Sequence, residues 1–178
     1  MTTLDNAALE REPRKVLNVG SGNQKLAEWE KQGFQVVTLD ISEDLQPDIV
    51  ADMCNMGEIG SFDAVWCCHA IEHLYPHQVP KAIEEFHRIL KPGGVVIIAV
   101  PDLEDIRPDG TILGDSNSGP IIAHDLFYGD KRQIAERPYM AHHCGFVSET
   151  LREALSGFSK VQVQKVPFFS LLGSGVKE

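Results

Sequence analysis

The 178-residue chain lacks any long apolar run. Val95–Val100 is its longest uninterrupted one, far short of the roughly 18 residues that cross a bilayer, so no membrane partner is expected. Its first residues, Met1-Thr2-Thr3-Leu4-Asp5, have neither the basic region nor the apolar stretch of a secretory signal. Cysteine is sparse. Cys54, Cys67, Cys68 and Cys144 form no C-x-x-C pair, which speaks against a disulfide framework and for reduced thiols in a cytoplasmic protein. Positive charge is short as well: 16 Lys and Arg face 26 Asp and Glu, for a formal net charge of −10. Nucleic-acid binding leans on clustered Lys and Arg, so a small-molecule or saccharide partner is expected instead, and the oligomeric state is left open. Internal repeats and low-complexity segments are missing too.

What is present fits one domain. Residues 1–14 are polar and read as a flexible leader, with a single domain over 15–178. Lys15–Val19 reads as a first strand, Gly20-Ser21-Gly22 as a tight turn, and Ala27 with Leu26 and Trp29 as a short helix that Gly33 ends. Phe34–Leu39 is a second strand closing on Asp40, Asp48–Ala51 a third ending at Asp52, and Phe62–Cys68 a fourth. Val79, Ile83, Phe86 and Leu90 have the spacing of one buried helical stripe, with Pro80 in its first turn. Lys91-Pro92-Gly93-Gly94 stops that helix before a fifth strand, Val95–Val100. Alternating strands and helices predict a doubly wound, mostly parallel sheet with helices on both faces. Residues 102–145 break the pattern with Asp, Gly, Pro, Ser and His around one apolar stretch, Ile121–Phe127. A stretch that long is expected to be a functional cover rather than a connector. Ser148 and Glu149 should start a last helix that Gly157 ends, with Val161–Val166 an edge strand paired to Phe168–Leu172.

One strand-to-helix turn carries the most chemistry. Glycines after a first strand let the backbone turn sharply and let a ligand approach it. Asp40 lies 20 positions after Gly20, where a strand-end carboxylate can accept two ribose hydroxyls. Asp52 can accept an adenine amino proton while Met53 packs on the ring. Three strand ends therefore offer contacts to one nucleoside.

Asn18-Val19-Gly20-Ser21-Gly22 resembles the glycine-rich first motif of class I S-adenosylmethionine-dependent methyltransferases. Phe62–Cys68 followed by His69-Ala70-Ile71-Glu72-His73-Leu74 is similar to their fourth-strand motif and its turn, and Arg88–Gly94 to the R-x-L-K-P-G-G element before strand five. Phe127-Tyr128-Gly129 and His142–Phe146 resemble the tail of small members associated with bacterial glycan biosynthesis. The resemblance implies a seven-stranded Rossmann-like sheet, truncated or complete, with an insertion after strand five. It implies S-adenosylmethionine held by Gly20, Ser21, Gly22, Asp40, Ile41, Asp52, Met53 and His69, and methyl transfer to an acceptor, at oxygen. Asn18 and Asn23 depart from the pattern, standing where many members have an acid and a third glycine.

A hydroxyl acceptor must lose its proton, which a histidine can accept near neutral pH. His69, Glu72 and His73 follow strand four, while His124, Tyr128, His142 and His143 lie in the cover. His142 and His73 are the expected bases, with Glu72 orienting one of them, and no metal is expected. Three rivals compete. His69-Ala70-Ile71-Glu72-His73 also reads as the inverted zinc-peptidase motif H-x-x-E-H. A nicotinamide oxidoreductase lacks support, because Lys25 occupies the third-glycine position and no Tyr-x-x-x-Lys pair exists. A non-catalytic cofactor-binding scaffold is the remaining alternative.

Overall fold

The computed structural model describes residues 12–116 and 119–178. Up to residue 11 the expected leader lies outside them, and its last residue is already in the sheet, since β1 spans Arg14–Val19. β2 (Phe34–Asp40), β3 (Ile49–Val50), β4 (Phe62–Cys68) and β5 (Leu90–Pro101) follow in parallel, and β8 (Ser159–Val166) and β9 (Ser170–Val176) complete seven strands. The order is β3-β2-β1-β4-β5-β9-β8, with β9 antiparallel to both neighbours. This is the expected mostly parallel, Rossmann-like α/β sheet.

Alternation along the central strands sends side chains to two unequal faces. Leu17, Val19, Val65 and Cys67 enter the main core, while Val16 and Ala64 join a smaller cluster with Leu26, Trp29 and Trp66. Helix α1 (Ala27–Lys31) serves the smaller side. Helices α2 (Val79–Ile89) and α5 (Ser148–Ala154) pack together over the larger. In α2 the buried stripe is Val79, Ala82, Ile83, Phe86 and Ile89. Fully burying a side chain such as Phe86 contributes about 1.5–3 kcal/mol. The expected stripe ran on to Leu90, but that residue turns to extended backbone at φ −73°, ψ 140° and opens β5.

Several boundaries differ from expectation. The third strand keeps two residues rather than four, and among the described residues no helix links it to β4. Residues 51–61 contain Gly57 and Gly60 at positive φ and no helical stripe. Residues 102–145 hold defined elements: a hairpin of β6 (Ile112–Ser116) and β7 (Gly119–Ile122), then α3 (Ala123–Tyr128) and α4 (Lys131–Glu136). The apolar stretch at 121–127 is thus divided between a strand and a helix. Ser148 is the first helical residue of α5 rather than its cap. The Val147 N–H instead donates to Thr150 Oγ1 at 3.0 Å. The helix stops at Ala154, ahead of Gly157, in a turn closed by Phe158 N–H on the Leu155 carbonyl. The β8–β9 hairpin forms as expected, with Phe168 and Phe169 in left-handed backbone at its tip and β9 beginning at Ser170. No helix among the described residues is long and apolar enough to cross a membrane.

Candidate active site

The carboxyl ends of β1, β2 and β4 converge on a cavity of about 310 Å³, within the usual range for small-molecule sites. Gly20 turns away from β1 at φ +61°, and a Cβ there would collide with Cβ of Ala70 in the loop after β4. Glycine is therefore required by close approach as well as by the turn. The turn is locked onto β2: Ser21 N–H donates to the Leu39 carbonyl at 3.1 Å and Gly22 N–H to Asp40 Oδ2 at 2.8 Å. The other Asp40 oxygen accepts Ser42 N–H at 3.0 Å. Asp40 is 6% exposed, organises both loops and lines the cavity.

Gly20, Gly22, Asp40, Ile41, Asp52, Met53 and His69 all line this cavity. Ser21 does not. It is buried beneath the turn with its hydroxyl unpartnered. Asp52 is exposed and gives Oδ1 to the Cys54 N–H at 2.8 Å, leaving Oδ2 for a ligand. Asn18 is fully buried; its Nδ2 donates to the Gln24 carbonyl at 3.2 Å, which a carboxylate could not do, and its Oδ1 has no partner. The cavity has an apolar floor of Leu39, Ala51 and Met53, and Ile41 is 58% exposed beside it. A glycine cradle, an apolar slot and flanking carboxylates fit a nucleoside carrying a positively charged sulfonium.

Sequence reasoning missed the opposite wall: Gln133, Arg137, Tyr139 and Met140, from α4 and the turn after it. Their only sequence signal was membership of the irregular 102–145 segment. A second, larger hollow of about 660 Å³ lies between the 104–113 loop and the β8–β9 turn. Ser170 on its wall has Oγ 3.3 Å from Nε2 of His69, a lining residue of the first cavity.

His69 holds a left-handed φ of +50°, uncommon for a residue with a side chain and often found where function fixes geometry. Its Nδ1 lies 3.3 Å from Glu72 Oε1. Residues Ile71–His73 form a single 3₁₀ turn, so His69 and His73 do not share a helix face and the zinc-peptidase grouping does not form. Glu72 groups instead with His73 and His142. Glu72 is 1% exposed and its Oε2 has no partner. Nδ1 of His73 faces the Ala141 carbonyl at 3.2 Å and Nδ1 of His142 the Leu126 carbonyl at 2.9 Å. Their rings lie 4.9 Å apart at 62°. Burial lowers the His142 pKa, against the opposing pull of Glu72, so the neutral imidazole prevails at neutral pH. His73 lines the cavity; Glu72 and His142 stand behind it. His143 stacks on Tyr75, and His124 lies tilted against Tyr128, both outside the cavity wall.

Residues 17–98 match the family model described as a methyltransferase domain. Solved structures share the fold across nearly the whole chain. A protein of Pyrococcus horikoshii OT3 is 21% identical, with 96% of this chain and 85% of that one covered at a TM-score of 0.65. A SAM-dependent methyltransferase of Archaeoglobus fulgidus is 16% identical over 93% and 87%, at 0.63. A SAM-bound amino pentose methyltransferase of Micromonospora echinaspora is 15% identical over 94% and 84%, at 0.67. No curated protein sequence matches. Strand order and glycine turn define a Rossmann-like fold, and the matched segment lies on its first five strands. Over residues 17–98 the chain is similar to a methyltransferase domain, and its fold is that of solved S-adenosylmethionine-dependent methyltransferases.

Proposed function

We propose that the chain methylates a hydroxyl of a small-molecule acceptor, a saccharide being the favoured class, in the cytoplasm. One observation carries this reading: the cavity with the glycine turn and Asp40 at one end has His73, backed by Glu72 and His142, in its wall at the other. When bound, S-adenosylmethionine supplies a methyl group already activated on a sulfonium sulfur. Gly20 and Gly22 would admit the methionine end to the backbone, Asp40 would accept ribose hydroxyls, and Ile41 and Met53 would enclose the base, with Asp52 at its edge. Ser21 would act from beneath, by holding the turn on Leu39. Within residues 102–145, the part from Gln133 to Met140 borders this cavity and would exclude water from it, while 104–113 border the other hollow.

With the methyl group activated, the protein's main tasks are alignment and removal of the acceptor proton. His69, fixed between Glu72 and Ser170, would form the wall between the two hollows. The His73–Glu72–His142 group would take up the proton, with Glu72 compensating the positive charge. The chain's negative charge favours a neutral or cationic acceptor. The four free cysteines fit a reducing compartment, and burial raises the Cys54 and Cys144 thiols to about 11, which keeps them protonated.

The test is turnover of His142→Gln over an acceptor panel of sugars and amino sugars. Turnover should fall roughly 10²–10⁴-fold, the usual share of acid–base catalysis, while S-adenosylhomocysteine affinity stays unchanged. Normal turnover in both His142→Gln and His73→Gln would remove the group from the reaction and favour an amine acceptor that needs no base. Cofactor binding with no turnover across the panel would favour the scaffold alternative.

A further inference from the structure

Glu72, His73 and His142 each offer one ligating atom, and the three atoms lie within 4.8 Å of one another. Two further observations give that cluster a direction. The Glu72 carboxylate is buried, yet Oε2 has no hydrogen-bond partner, and a buried charged oxygen left unpaired is costly unless an ion completes it. Both imidazoles face a backbone carbonyl through Nδ1, that of Ala141 for His73 and that of Leu126 for His142. A carbonyl can only accept, so each Nδ1 carries the proton and each Nε2 keeps a free lone pair. Metal-binding histidines are oriented in just this way by their outer partners.

The scaffold around the cluster is close-fitting. The Glu72 carbonyl accepts the N–H groups of His143 and Cys144 at 2.9 and 3.2 Å, which pins the segment carrying His142 against the 71–73 turn. Gly129 runs so near that a Cβ there would meet the Met140 carbonyl at 2.6 Å and His142 Cδ2 at 3.4 Å. Two elements 70 residues apart in sequence are thereby held together around three ligating atoms.

We propose that Glu72, His73 and His142 form a binding site for a first-row divalent cation of the zinc type. Two imidazoles and one carboxylate suit that class and leave at least one coordination position open. Ligands around an ion bonded at about 2.0–2.2 Å lie roughly 3–3.5 Å apart, so the three atoms draw in by about 1 Å on binding. His73 lines the cavity, which gives the ion its entry. This deepens the proposed function, resting on it for the position of the acceptor, and replaces proton uptake by the imidazoles with activation of the acceptor by the ion. The open position would take the acceptor oxygen and make its hydroxyl more acidic. Both imidazoles then act as ligands, and the hydroxyl proton passes to solvent. The freed oxygen lone pair forms the new C–O bond as the S–CH₃ bond breaks, its electrons staying on sulfur.

The test uses the full chain without a histidine tag, stripped by chelator and titrated with Co²⁺ and then Zn²⁺. Visible absorption of bound cobalt and calorimetry are the readouts. One equivalent of cobalt should bind and be displaced by zinc. Glu72→Gln, His73→Gln and His142→Gln should each weaken binding beyond the roughly 10–100-fold that loss of an outer partner costs. His77→Gln, on the exposed surface, should bind as wild type does. Circular dichroism and S-adenosylhomocysteine titration of every variant separate lost ligands from lost folding. No cobalt or zinc binding by the wild type overturns the inference, as does binding retained in both His73→Gln and His142→Gln. Methyl transfer by the metal-free protein would sink the metal site and leave the proposed function standing. Metal uptake by a protein that never binds S-adenosylhomocysteine would do the reverse.

Discussion

Asp40 does two things with one carboxylate. It holds the Gly22 and Ser42 N–H groups, which shapes the loop after β1, and in the proposed reading it also accepts ribose hydroxyls. Asp40→Ala should therefore weaken S-adenosylhomocysteine binding by about 2–3 kcal/mol, the scale of charged hydrogen bonds, as read by calorimetry. Asp52→Asn should cost less, because Asp52 is exposed, spends one oxygen on its own turn, and Asn retains an acceptor. The reverse order would mean that ribose and base lie the other way round. Asp40 was legible from sequence because its distance from Gly20 is set by one local strand–helix–strand unit. Glu72, His73 and His142 were expected to act together, and the structure brings the three side chains close; how they meet was not legible, because 70 residues separate Glu72 from His142 and their approach depends on the 143–144 backbone bonding to the Glu72 carbonyl. His69 followed by Glu72 and His73 looked like a helical metal motif, but the left-handed backbone at His69 removes the helix that motif requires.

At the level of elements, long and strongly patterned segments were readable and short ones were not. β4 and the α2 stripe come from runs whose period is plain over seven or more residues. Helices α3 and α4 have six residues each, too few for a periodic signal or for stability alone. They form because tertiary contacts and an Asp130 cap on Arg132 N–H hold them. The parallel strands depend on a similar tie. Asp63, at the start of β4, accepts Lys15 N–H of β1 at 2.8 Å and pairs with Lys91 of β5 at 2.9 Å. Burial alone would raise its pKa, but these two partners outweigh it and the carboxyl is lowered below its usual value. Its folded-state pKa lies below the unfolded one, so the stability it contributes is complete above about pH 4 and is lost as pH falls through the depressed value. Asp63→Asn should be less stable than wild type at pH 7, and the two should converge in urea melts as pH drops below 4. An undiminished gap at pH 2.5 would show that Asp63 acts through packing and not through charge.

Across the whole molecule, the proposed cofactor cavity is closed by two parts of the chain that meet nowhere in the sequence pattern. One is the sheet edge with Gly20, Asp40 and Met53; the other is α4 and its following turn, with Gln133, Arg137 and Tyr139. A ligand between them links the stability of the segment to that of the sheet. Alone, the segment should open well below the global unfolding free energy, since α4 buries none of its residues. S-Adenosylhomocysteine at about 100 times its Kd should add about 2.7 kcal/mol. For a chain of this size that is a rise in Tm of roughly 5–10 °C. Hydrogen exchange should locate the gain, slowing at residues 20–22 and 40–53 and, in step with them, at 133–140. Residues 104–116 border mainly the other hollow and should slow only when an acceptor is also present. Protection confined to the sheet edge, with 133–140 exchanging as before, would show that α4 does not close on the cofactor. Protection of 104–116 by S-adenosylhomocysteine alone would mean that the two hollows close as one unit, and that acceptor entry must precede cofactor closure.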